Sequence, residues 1–214
     1  MAMAEDRPTL YAQRGGTGAP LLLLLHGLGA NASVWDGLLP ILAHSMGGVV
    51  GAALATQWFG VRVRAVAAFA VKPDFDPGDV ERLRSVGSKG YRWFDTRAEA
   101  IERQIAVAGL RGLIEPGDPR AAIGVTEANG KFRIATDPRA NLVLGPDLGE
   151  FLRAAHVPIH FAAGDRDQLV SVELMRGVDP EAHVFPGRGH NVQVEDPLAV
   201  WEYAEAVFAG IVPG

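Results

Sequence analysis

Five consecutive leucines, Leu21 to Leu25, run without a polar interruption into His26-Gly27-Leu28-Gly29. A strand with one face in water alternates apolar and polar residues, so an unbroken apolar run implies burial on both faces. A parallel sheet covered by helices provides that environment. Two later segments share the character: Val63 to Val71, rich in valine and alanine, and Val157 to Ala163, which ends on Gly164. Shorter strands are expected over Thr9 to Arg14 and Ala182 to Phe185. Between them, Gly48 to Phe59 is small and apolar with a Gly60 stop, as suits a helix packed on the sheet. Asp196-Pro197 pairs an N-cap with proline at the first helical position, and the amphipathic run Leu198 to Phe208 follows, ended by Gly210. Strands alternating with helices predict an α/β fold, a mostly parallel sheet flanked by helices.

A chain of 214 residues that is 48% apolar can bury one sizeable core. Its net charge of −5 and scattered basic residues argue against a nucleic-acid partner. The leucine run is far shorter than the roughly 20 residues a bilayer span needs, so no membrane partner is expected. With no cysteine the chain is not a disulfide scaffold. Met1 to Arg7 carries acidic residues where a secretory signal would be basic and then apolar, so a soluble, cytoplasmic monomer or homodimer is the expectation.

The texture changes between Lys72 and Glu150. Lys72 to Asp79 reads as a loop, and Thr96-Arg97-Ala98-Glu99 is a capping box that opens a helix toward Leu110. Glycine and proline interrupt the segment too often for a second core. Residues 72–150 therefore read as a small helical cap inserted between two parts of one core, 1–71 and 151–214.

Ala43-His44-Ser45-Met46-Gly47-Gly48 sets small residues two before and two after a serine. A sharp strand-to-helix turn crowds the backbone at those flanking positions and lifts the serine oxygen above the sheet. A serine that merely caps a helix is the alternative reading. Backbone N–H groups freed in the glycine loop at Leu28 and at the helix start at Met46 could together hold an oxyanion. Gly164-Asp165-Arg166-Asp167 and Gly187-Arg188-Gly189-His190 follow later strands, and functional side chains gather at the carboxyl ends of parallel strands. The order Ser45, aspartate, His190 suits a nucleophile, a carboxylate and a base. Asp165 and Asp167 compete for the acid, with Asp74 or Asp76 a third choice. His26 and His44 belong to turns and His156 precedes a strand, while His160 and His183, inside strands, read as satisfied core histidines.

Together, Leu-Leu-Leu-His-Gly-Leu-Gly with Trp35 nine residues after His26, Ala-His-Ser-Met-Gly-Gly, Gly-Asp-Arg-Asp and Gly-Arg-Gly-His resemble the α/β-hydrolase superfamily in its small esterase-like branch. The resemblance covers the two ends of the chain and leaves the middle matched only in position, as the variable cap. It implies Ser45 as nucleophile, His190 as base, Asp167 over Asp165 as the acid, and the Leu28 and Met46 amides as the oxyanion hole. Trp35, His44 and Trp93 are the candidate substrate contacts, and neither a cofactor nor a metal is implied. Tyr91, Trp93 and Phe94 could line an apolar pocket, or pack the cap onto the core.

The chain departs from that pattern between the first two motifs. Members usually spend several dozen residues there, whereas here Gly29 to Leu42 must supply both a crossover and the strand that delivers Ser45. Either the sheet is altered or the given sequence omits residues of the whole protein. The expected activity is hydrolysis of a small carboxylic ester or related acyl substrate. Lactonase, carbon–carbon hydrolase and cofactor-free perhydrolase chemistry share the same triad, and a non-catalytic binding relative is the alternative from another class.

Overall fold

The computed structural model describes residues 43–60, 63–142 and 148–209. The expected strands Thr9 to Arg14 and Leu21 to Leu25, and the stretch Gly29 to Leu42, lie outside these residues. Among the described residues a four-stranded, parallel sheet forms the centre, in the spatial order β1 (Ala43–His44), β2 (Val66–Phe69), β5 (Ile159–Gly164) and β6 (His183–Phe185). Strands β2, β5 and β6 are each shorter than the runs Val63 to Val71, Val157 to Ala163 and Ala182 to Phe185.

Every residue of β2 is buried, as a strand covered on both faces requires. Its alternate side chains serve two cores. Ala67 and Phe69 face the core completed by Phe185 and by α8 (Pro197–Phe208), through Val200, Tyr203, Ala204 and Phe208. Val66 and Ala68 face the opposite core, with α1 (Met46–Ala55), α5 (Leu148–Ala154) and α6 (Val172–Arg176) supplying Ala52, Phe151 and Met175. Helix α8 begins as its sequence predicts, with Asp196 accepting from the Ala199 amide and Pro197 in the first turn.

Helix α1 starts two residues earlier and stops four residues earlier than the composition suggests. The Thr56 hydroxyl donates to the Ala53 carbonyl at 2.6 Å, and Gln57 turns into the left-handed region at φ 60°, which ends the helix and leaves Trp58 and Phe59 exposed.

The middle segment is not purely helical. It holds α2 (Pro77–Ser88), α3 (Arg97–Val107) and α4 (Pro119–Ile123), and then an antiparallel hairpin of β3 (Val125–Ala128) and β4 (Lys131–Ile134). The Thr96–Glu99 capping box opens α3 as predicted. Asn129 and Gly130, at φ 53° and 71°, make the two-residue loop whose twist matches that of the flanking strands. Lys72 to Asp79 is only partly a loop, because Asp76 caps α2 and Pro77 begins it. The segment shares the sheet's core, since Ile105, Ala108, Leu110, Ile114 and Ala121 pack with Phe69 and Phe185.

Two histidines differ from expectation. His160 and His183 are exposed, not satisfied in the core. His160 takes the outward position beside buried Phe161, and His183 lies on the outermost strand β6, where its ring stacks on Tyr203 at 5.1 Å. Desolvation on the ring face stacked against Tyr203 holds the His183 imidazole below its ordinary pKa, because it disfavours the cation.

Candidate active site

Ser45 joins β1 directly to α1 at φ 53° and ψ −122°, a backbone that non-glycine residues rarely adopt. Its amide donates to the Phe69 carbonyl at 2.9 Å, continuing the β1–β2 ladder into the turn. The Ser45 side chain makes no cap hydrogen bond to α1, so the alternative of a plain capping serine does not describe it. Met46 is the first residue of α1, and its N–H therefore has no intrahelical acceptor. The tight turn also depends on Gly48, where a Cβ would fall 2.2 Å from Cγ2 of Val71.

The sheet brings the other motifs to the same end. Ser45, Asp167 and His190 follow the carboxyl ends of β1, β5 and β6, and all these strands are parallel. His190 Nδ1 lies 2.8 Å from Oδ2 of Asp167. A carboxylate accepts, so Nδ1 donates, and in the neutral ring the lone pair is then on Nε2. The Asp167 side chain is fully buried, and its other oxygen, Oδ1, accepts from the amides of Leu169 at 2.8 Å and Val170 at 3.1 Å. With both oxygens engaged, the carboxylate has one orientation toward the imidazole.

Asp165 has a different task. It is exposed, and its Oδ1 accepts from the Gly187 amide at 2.7 Å, tying the loop after β5 to the loop after β6. Asp74 and Asp76 accept from Phe75 and Asp79 amides and have no hydrogen bond to His190. At Gly164 a Cβ would fall 2.2 Å from the Arg188 carbonyl, so the two loops approach as closely as glycine permits. Glu195 accepts from the Gly189 amide at 2.8 Å, and Arg188 pairs with Asp196 at 2.7 Å. The Ala199 amide first, and then Arg188, hold the Asp196 carboxyl below the usual carboxylate range.

The candidate substrate contacts fare differently. His44 is 2% exposed, and its Nε2 lies 2.9 Å from the His190 carbonyl, so it is buried against the histidine loop and does not face solvent. The reason is alternation along β1, which puts His44 on the sheet face of its neighbour Phe69, with ring centroids 5.2 Å apart. Trp93 is exposed beside exposed Tyr91, and the Arg133 guanidinium lies over both rings, at 5.6 Å and 3.9 Å from their centroids. These two rings therefore do not pack the middle segment onto the core. Trp35 and Leu28 lie outside the described residues. Among the described residues no group of three or more His, Asp or Glu side chains could hold a metal ion, and no helix is long and apolar enough to cross a membrane.

Residues that the sequence patterns did not single out complete the site's support. Asn191 and Gln193, just after His190, are buried, and each makes side-chain hydrogen bonds. Their one sequence signal was a pair of amides following a candidate catalytic histidine.

The fold has solved counterparts. An E-2-(acetamidomethylene)succinate hydrolase aligns with a TM-score of 0.70 at 18% identity, over 89% of this chain and 92% of that one. An esterase from Mycobacterium tuberculosis aligns with a TM-score of 0.65 at 17% identity, over 95% and 92%. A hydrolase from Oleispira antarctica gives 0.59 at 14% identity, over 91% and 93%. No protein-family model and no curated protein matches the sequence.

Proposed function

We propose that this chain, which has the α/β-hydrolase fold, is a serine hydrolase that cleaves a small carboxylic ester or related acyl substrate. The observation that carries the reading is Ser45 itself: a strained, uncapping serine at a strand-to-helix turn, at the sheet end that also bears the Asp167–His190 pair. Strain of this kind has no structural use at a helix start, where a relaxed serine would bond the N3 amide. It does serve to hold an oxygen clear of the backbone.

In this reading His190 Nε2 takes the Ser45 proton as Oγ attacks the substrate carbonyl, forming a tetrahedral oxyanion. The Met46 N–H donates to that oxyanion, and the Leu28 N–H is the proposed second donor. His190 then protonates the leaving alcohol, and an acyl-enzyme remains on Ser45. Water, deprotonated by His190, attacks the acyl carbon and releases the acid. Asp167 keeps the imidazole in the tautomer that each step needs and stabilises it when charged. Cofactor-free chemistry in the cytoplasm is part of the same proposal.

A fluorophosphonate probe tests it. Covalent labelling of the full chain, lost in Ser45→Ala, is the expected result. A folded wild-type protein that neither labels nor hydrolyses short-chain nitrophenyl esters overturns the reading in favour of a binding protein.

A further inference from the structure

His190 is held through its backbone as well as its ring. Its carbonyl lies 2.9 Å from His44 Nε2, and because a carbonyl only accepts, His44 donates from Nε2 and carries a lone pair on Nδ1. Gln193 Nε2 lies 3.5 Å from that Nδ1 and 3.3 Å from Oδ1 of Asn191. Asn191 Nδ2 in turn donates to the carbonyls of Ala108 and Gly109, at 3.2 and 3.1 Å, where α3 ends. The three side chains are at most 2% exposed.

Both ends of this chain of groups are carbonyls, so every amide orientation between them is determined. The Ala108 and Gly109 carbonyls claim the Asn191 NH2, which turns Oδ1 toward Gln193. Gln193 must then present its NH2, because the flipped amide would set oxygen against oxygen. Its two N–H groups point to Asn191 and to His44, and His44 passes the polarity on to His190. The ring of His44 also meets the His190 ring edge-on, with centroids 4.8 Å apart.

We propose that His44 and Gln193 are positioning residues for His190, with Asn191 anchoring them to the end of α3. Resting on the triad reading above, the assignment gives His190 two restraints: Asp167 sets the ring's rotation, and His44 sets the height of the backbone that carries it. A base displaced by about 1 Å costs on the order of a hundredfold in rate without weakening substrate binding.

Three variants of the full chain test this. His44→Phe keeps a ring and removes the donor, His44→Gln returns a donor near the place of Nε2, and Gln193→Met keeps volume but donates nothing. The readouts are kcat and KM on p-nitrophenyl acetate, and the downfield proton NMR resonance of the His190–Asp167 hydrogen bond. His44→Phe and Gln193→Met are expected to lower kcat about tenfold to a hundredfold, to leave KM within about twofold, and to shift or broaden the resonance. His44→Gln is expected to recover most of kcat. Wild-type kcat and an unmoved resonance in folded His44→Phe and Gln193→Met overturn the proposal, as does a His44→Gln variant no better than His44→Phe. If His44→Phe does not fold, Gln193→Met decides. If the wild type neither labels nor turns over, the hydrolase reading fails, and the resonance alone still decides whether His44 positions His190.

Discussion

Asp167 and Asp165 are two residues apart, alike in chemistry, and opposite in environment. Asp167 is buried against His190 and two amides, whereas Asp165 is exposed and braces Gly187. Replacing Asp167 with Asn leaves an acceptor for the Leu169 and Val170 amides and removes the charge that orients the imidazole. Steady-state kinetics should show kcat falling by on the order of 10⁴-fold with the fold intact by circular dichroism. Asp165→Asn keeps an acceptor for Gly187 and should stay within about tenfold of wild type, which separates the two roles. Residue chemistry alone left this choice open. What separates the two carboxylates is a partner 23 positions away in the chain.

At the scale of elements, the turn at Ser45 depends on how closely α1 lies on β2. A methyl group at Gly48 would meet Val71 Cγ2 at 2.2 Å, a distance that forces movement of a buried side chain. Gly48→Ala gains about 1 kcal/mol in helix propensity, but overpacking costs typically 1–3 kcal/mol. A net loss in denaturant unfolding is expected, together with lower kcat as Ser45 shifts. Val71→Ala opens the contested space, so the Gly48→Ala/Val71→Ala double variant should lose less than the sum of the single losses. Some element boundaries were legible in the sequence beforehand. Asp196-Pro197 announced α8, and the same dipeptide at Asp76-Pro77 and Asp118-Pro119 opens α2 and α4. Asn129-Gly130 carried an equally local hairpin signal inside a segment that otherwise reads as helical. These signals work because a cap or a tight turn is satisfied by its own neighbours.

Across the whole molecule, Asp79 links α2 to the sheet. It is buried, paired with Lys72 just beyond β2, and also bonded to Arg82. The hydrogen bond from Lys72, followed by the charges of Lys72 and Arg82, holds its carboxyl below the ordinary 3.8. A carboxyl whose folded pKa is depressed contributes stability above its unfolded pKa and loses it as pH falls through the folded value. Thermal unfolding should therefore show Asp79→Asn less stable than wild type at pH 7, with the gap closing below about pH 4. A constant gap from pH 7 to pH 3 would contradict the ionic role.

By itself the sequence determined the features whose causes are local. The α/β class follows from apolar runs closed by glycine loops, the start of α8 from Asp196-Pro197 and that of α3 from the capping box, and the strand-to-helix turn from the small residues flanking Ser45. Tertiary structure decided what depends on distant partners. It set Asp167 and not Asp165 against His190, buried His44 within hydrogen-bond reach of a carbonyl 146 positions away, and left His160 and His183 exposed. Periodicity states which face of a strand a residue takes, but what covers that face is decided only when the sheet is assembled.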